Sequence, residues 1–194
     1  VVYWVLMFQC WEEQEKLNWY RMSLLVLEVT TPVLRELFLA MWNRRFGNPP
    51  DRAWSSADGA AVIASVTSFN GRPIPRIYLH KLAGDLRHMD ITALRIFLVA
   101  SNIRGSSLVP FRSPLGQAIG GQPDGISQMR NTLCHSTQVR LSAQDYHAMR
   151  FKILTLLDYL HSQGLVTAQR LLELKAEIKG YEEEGGASQA RCER

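Results

Sequence analysis

Cysteine is scarce: Cys10, Cys134 and Cys192 lie far apart in a chain of 194 residues. An odd count with no CxxC pair builds neither a disulfide framework nor a zinc cluster, and it fits a reducing compartment, cytoplasmic or nuclear. Cys134 and His135 are adjacent, but no second pair at ligand spacing accompanies them. Neither a metal nor another cofactor is therefore expected. Long apolar runs are also missing. The longest, Val1–Trp11, is about half of the ~20 residues a spanning helix needs, and no cationic stretch precedes it as in a signal peptide. No membrane partner is expected. No methionine opens the chain, which suggests one module of something longer. Proline and glycine, at 8 and 13 residues, are too few for a collagen-like or low-complexity chain. What remains, 46% hydrophobic and 21% charged, has the composition of a globular domain with a sizeable core.

Charge is unevenly placed. Residues 35–152 hold fifteen basic and seven acidic side chains, a net of +8, whereas the flanks 1–34 and 153–194 are each −2. Thirteen of those fifteen are arginine, whose planar fork pairs with phosphate oxygens. A basic middle is compatible with a polyanion partner such as RNA, although ordinary domains also reach such a local excess.

Apolar spacing predicts helices almost throughout. Glu12 to about Phe46 carries Leu17, Leu24, Leu27 and Leu34 as a stripe, with Pro32 expected to kink or split it. Gly47-Asn48-Pro49-Pro50 ends it. Ala60–Phe69 reads as a short strand or part of a poorly ordered insertion spanning 47–75. A short helix is expected over Ile77–His88. Asp90 then serves as the N-cap of a helix running to Ile103. Arg104–Gly125 reads as a long Gly/Pro/Ser-rich loop. Helices follow over Ile126–His135, from Ser142 to His161, and over Thr167–Lys179, with Gly164 as a stop and a frayed polar tail from Glu182. The helix to His161 has two apolar stripes, one of them Phe151, Leu154 and Leu157, and is expected to be central. The fold class is all-α, an irregular bundle of four to six helices. Its organisation is an N-terminal extension (1–11), a helical domain (12–164), a C-terminal helix (165–181) and the tail (182–194).

The chemistry concentrates in Ile126–Gln138. On a helical wheel Ile126, Met129 and Leu133 form a narrow apolar stripe, while Ser127, Arg130, Asn131, Cys134, His135 and Gln138 share the polar side. Asn131 and His135 are i,i+4 neighbours, spaced for the carboxamide to orient the ring. An imidazole exchanges protons near neutral pH, and a guanidinium can hold a phosphate and offset developing charge. These groups suit RNA cleavage without a metal, although a surface helix bearing Arg, Asn and His by chance is common.

Arg130-Asn131-Thr132-Leu133-Cys134-His135 resembles the Arg-polar-x3-His signature of HEPN domains (higher eukaryotes and prokaryotes nucleotide-binding). More specifically, the chain is similar to the HEPN module of the kind found in the DAZ-interacting zinc-finger ubiquitin ligase. Asn18–Phe38 resembles that module's first helix, Met89–Ile103 its middle helix with the Pro/Gly-rich loop after it, and Asp145–Leu160 its closing helix. Residues 47–75 have no counterpart. Met89 and Ser101 stand where members usually carry an aromatic and an arginine. The resemblance implies an all-α domain that commonly forms a homodimer through the motif helix, with paired signature helices lining a cleft. Active members cut RNA without metal; others bind RNA or protein partners without cleavage. Carried over, His135 would transfer the proton, Arg130 would hold the phosphate and Asn131 would position them.

Arg104 and Arg112 in the preceding loop, and Arg140 just after the helix, are further RNA-contact candidates. The five tryptophans could stack bases, but Trp19 and Trp42 lie on helical segments where packing is the plainer reading. A nucleophilic Cys134 lacks a partner acid, and His80, His88, His147 and His161 are scattered. Three functions of different class remain open: a metal-independent RNase, a non-cleaving RNA-binding module, and a helical interaction or dimerisation module.

Overall fold

Proline at position 32 has no amide hydrogen to give the carbonyl one turn back, and the first long helix changes its winding just before it. In the computed structural model, α1 spans Val2–Leu24, a π-helical segment spans Leu25–Thr30, and α2 spans Thr31–Phe46. The structure describes residues 2–69, 72–82, 85–103, 105–121, 125–135 and 139–192, with only the backbone described at 2–10, 65, 67–69 and 183–192. The wider π turn is closed by the Thr30 hydroxyl, which donates to the Leu25 carbonyl at 3.0 Å. It also rotates the apolar face: Leu25, Val26 and Val29 are buried, while Leu27 is 59% exposed. The expected Leu17-Leu24-Leu27-Leu34 stripe is corrected accordingly, because a uniform helical period does not survive a π segment. The helix also starts at Val2, ahead of the Glu12 start read from the sequence.

The chain forms two compact units, one of residues 1–30 with 129–194 and one of residues 31–128. No composition shift in the sequence marks this division. Both crossings of the chain, after Thr30 and after Gln128, fall within helical segments.

In the unit 31–128, α2 carries Phe38 and Trp42, fully buried with Phe46 and Trp54 against them; ring centroids are 5.4 Å apart for Phe38–Trp54 and 3.8 Å for Trp42–Phe46. Gly47 ends α2 at φ 67°, a left-handed geometry that costs glycine nothing. The turn behind it is tied down by buried Asn43, whose amide donates to Arg52 O at 2.9 Å. Helix α3 (Ser56–Ser65) follows, then strand β1 (Val66–Phe69). The expectation for 60–69 is thus corrected in its first half. Ser55 and Asp58 form a capping box that starts a helix there, and only the last four residues are strand. Helix α4 (Arg76–Leu82) and a 3₁₀ turn (Leu86–His88) lead to α5 (Ile91–Arg95), capped as expected by Asp90, which accepts from Ala93 N at 2.9 Å. A second π segment, Ile96–Ala100, carries buried Phe97 and Leu98. Ser101–Ile103 is not helix but strand β2, paired antiparallel with β1 in the register Val66↔Ile103 and Phe69↔Ser101, with a bulge between Val66 and Ser68. Within the expected long loop, Ser113 caps α6 (Pro114–Gly120); Pro at the first helical position and a serine before it are a start signal that the Gly/Pro content of the segment hides.

Asp58 is the polar hub of this unit. It is 5% exposed and accepts from Arg52 Nη1 at 2.6 Å, Ser55 N at 2.8 Å, Ser55 Oγ at 2.7 Å and Trp42 Nε1 at 3.4 Å. Burial alone would push its carboxyl up, but the donors from Arg52, Ser55 and Trp42 together outweigh burial and hold it below the usual carboxylate range. A carboxyl with a depressed folded pKa adds stability above its unfolded pKa and loses it as pH falls. The gap in unfolding midpoint between the natural chain and Asp58→Asn is therefore expected to be widest at neutral pH and to shrink below about pH 4. An equal gap at pH 7 and pH 3, measured by urea titration, would show that the charge is irrelevant.

In the unit 1–30/129–194, α1 and the π segment after it pack with α8 (Ala143–Ser162) and α9 (Ala168–Cys192). Ser142 caps α8 by accepting from Asp145 N at 3.0 Å, and Gly164, at φ 68°, ends the chain's turn beyond it. Tyr146, Ile153, Leu156, Leu157 and Leu160 are buried, as are Leu171, Leu174 and Ile178 of α9. Phe151 is 69% exposed while Leu157 is buried, so the second stripe of α8 reaches the core only at its far end and the helix is not apolar-packed all round. Helix α9 continues to Cys192, well past the end read from the sequence.

The all-α class stands, with one two-stranded ribbon added to it. Among the described residues no helix is long and apolar enough to cross a membrane.

Candidate functional site

Helix α7 (Ile126–His135) has the bounds the sequence predicts. Its apolar stripe is what anchors it: Ile126, Met129 and Leu133 are 1–5% exposed. Arg130 and Asn131 are half-buried along its flank, and Cys134 and His135 are exposed in its last turn. Ser127, placed on the polar side by the wheel, is buried at 7% exposure, so the polar face begins only at Arg130.

The last turn of α7 has carbonyls with no intrahelical donor. One is satisfied from the first helix: the Trp19 indole donates to Leu133 O at 3.3 Å. Trp19 therefore helps fix the helix that carries the motif, in keeping with the packing role. Just beyond, Leu141 N donates to Glu15 O at 3.0 Å and the buried Asn18 amide to Leu141 O at 3.3 Å. Sequence reading missed these supports because tryptophan and asparagine on a helix carry no mark of a distant carbonyl.

The motif side chains divide into a pair and a single group. Arg130 Nη1 donates to Asn131 Oδ1 at 3.4 Å. Asn131 is thus turned toward the guanidinium, and among the described residues no hydrogen bond joins it to His135. The i,i+4 orienting contact expected from spacing is corrected: the side chain of Asn131 meets its immediate neighbour. Arg130 and His135, five positions apart, are about 140° from each other around the helix.

Chemically, Arg130 differs from several other cations of the chain. Arg140 pairs with Glu12 Oε1 at 3.0 Å, Arg52 with Asp58, Arg87 with Asp85 and Lys175 with Asp158. Arg130 has a neutral carboxamide instead, and among the described residues no carboxylate pairs with it. That is what an anion-binding guanidinium needs. Arg140, expected to contact RNA, pairs with Glu12 and remains partly exposed. Arg112 is exposed and belongs to the other unit, and Arg104 lies outside the described residues. Among the described residues no group of three or more His, Cys, Asp or Glu side chains is disposed to hold a metal ion.

Elsewhere, in the unit 31–128, an open hollow of about 460 Å³ is lined by Leu39, Trp54 and Leu86, with Ser55 and Asp85 at its edge. Its polar edge is already engaged: Ser55 caps α3 and Asp85 pairs with Arg87 at 2.6 Å. It contains no residue of the α7 motif. No family model, no curated protein and no solved structure matches the chain.

Proposed function

We propose that this chain is an RNA-directed module of the HEPN kind and a metal-independent endoribonuclease. The observation that carries the reading is Arg130, set by Asn131 and unpaired with any carboxylate among the described residues, on the flank of a helix whose last turn exposes His135. Arg130 would bind the scissile phosphate and offset charge building on its non-bridging oxygens. His135 would take the proton of the 2′-hydroxyl as that oxygen attacks the adjacent phosphorus, or supply one to the departing 5′-oxygen. The products are a 2′,3′-cyclic phosphate and a free 5′-hydroxyl. One imidazole does not serve both proton transfers at once. The second would come from the His135 of another copy, as paired signature helices in the resembling family imply.

A non-cleaving RNA-binding module is the second reading. It is favoured by the lack of any hydrogen-bond partner for His135 among the described residues, which leaves the ring unoriented.

The test is incubation of the purified chain with mixed RNA in EDTA, with fragment ends analysed. Fragments with cyclic phosphate ends support cleavage. Intact RNA whose binding weakens steeply as salt rises supports the second reading, since phosphate contacts release counterions. Intact RNA with no binding at low salt overturns both and leaves an interaction or dimerisation module.

A further inference from the structure

The unit 1–30/129–194 contains a second cationic cluster, away from the α7 motif in sequence and made by α1, α8 and α9. Arg21 of α1 is 9% exposed, a depth at which a guanidinium ordinarily has a carboxylate partner. Here its Nη2 donates to the main-chain oxygen of Glu182 at 2.8 Å, and its Nε is buried with no acceptor. Arg150 of α8 pairs with the Glu182 carboxylate: Nη2 donates to Oε2 at 3.2 Å, while Nε lies against Oε1 without a hydrogen bond to it. Tyr146, one turn earlier on α8, is 4% exposed, and its hydroxyl has no partner. Burial, and then the charge of Glu182, raise the Tyr146 phenol above its ordinary range, while Arg21 and Arg150 oppose the rise. The phenol therefore stays protonated and remains a donor.

The inventory is unbalanced. Among the described side chains two guanidiniums meet one glutamate, Arg150 at its carboxylate and Arg21 at its main-chain oxygen, and three buried donors, Arg21 Nε, Arg150 Nε and Tyr146 Oη, lack a hydrogen-bond acceptor. Unsatisfied buried donors are costly and call for an explanation. A carboxylate offers two oxygens and one charge; a terminal phosphate offers three or four and as much as two charges, in the geometry guanidinium forks match. Such depth admits a free phosphate or a phosphomonoester end better than a diester inside a strand.

We infer that Arg21, Tyr146 and Arg150 form a binding site for phosphate as the free anion or a terminal monoester, which Glu182 fills as an internal stand-in. The anion replaces the Glu182 carboxylate, and the segment of α9 from Glu182 onward is released with it. This inference is independent of the Arg130–His135 reading and survives its failure.

The experiment is a thermal and calorimetric titration of the full chain with inorganic phosphate against chloride at matched ionic strength. Glu182→Gln removes the competing charge while keeping the main-chain contact to Arg21. It is expected to lower the thermal midpoint without phosphate, to regain it with phosphate, and to bind phosphate about tenfold more tightly than the natural chain. Tyr146→Phe keeps the buried ring and is expected to weaken phosphate about tenfold or more, the worth of one hydrogen bond to a charged group. General salt effects would act on all variants alike. If Glu182→Gln does not fold, the natural chain and Tyr146→Phe decide between them: phosphate must raise the first midpoint more than the second. Phosphate acting no differently from chloride on every folded variant overturns the site. A short oligoribonucleotide with and without a 5′-phosphate separates the sources. Competition by the phosphorylated form alone identifies a nucleic-acid end, and competition by neither identifies the free anion.

Discussion

His135→Ala is expected to slow RNA cleavage in EDTA by about 10²–10⁴-fold, the usual worth of a positioned proton-transfer group. The thermal midpoint should not move, because His135 is exposed and makes no hydrogen bond among the described residues. That separation is what makes the experiment informative: lost activity cannot be lost folding. Cys134→Ser, one position earlier and equally exposed, should leave the rate unchanged, since no step uses the thiol. Arg130→Lys keeps the charge but not the planar fork and should lower kcat/KM more than it lowers RNA affinity. An unaltered rate in His135→Ala would remove the imidazole from the mechanism and leave Arg130 as an RNA contact only.

Trp42→Ala is expected to destabilise the chain by about 3–5 kcal/mol, the upper part of the range for core truncations. The indole is 1% exposed and lies between Phe38, Phe46 and Trp54, with centroid distances of 6.3, 3.8 and 5.7 Å. Its removal opens a cavity that three aromatic neighbours cannot close without leaving their rotamers. Trp42→Phe retains most of the apolar volume and loses only a long 3.4 Å bond to Asp58, whose stronger partners Arg52 and Ser55 remain. It should cost well under half as much. Urea midpoints at fixed slope decide this, and a small loss in Trp42→Ala would mean the cluster is already loosely packed.

Much of the helical layout is legible because it is local. Asp90 and Ser142 declare helix starts through oxygens that reach amides three residues on, and Gly164 declares a stop by adopting a backbone other residues avoid. The same logic was present at Ser55-Asp58 and Ser113-Pro114, where clusters of proline and glycine obscured it. Strand β2 was not legible, since the apolar run from Ile91 to Ile103 keeps its hydrophobicity while its backbone passes from α through π to extended. Within the motif, spacing placed Arg130, Asn131 and His135 on one short helix, but not the choice Asn131 makes between its two neighbours. Adjacent side chains and those one turn apart compete for one carboxamide, and rotamers settle the contest.

The sequence by itself determined the all-α class, the bounds of the motif helix and its buried stripe, since each follows from contacts within a few residues. Tertiary structure alone decided that Trp19 supports Leu133 across 114 residues, that Arg140 pairs with Glu12, and that Arg21 reaches Glu182 across 161. Hydrogen bonds and ion pairs depend on the positions of two groups at once. Where the second group is distant in the chain, only the packing of the helices brings it within reach.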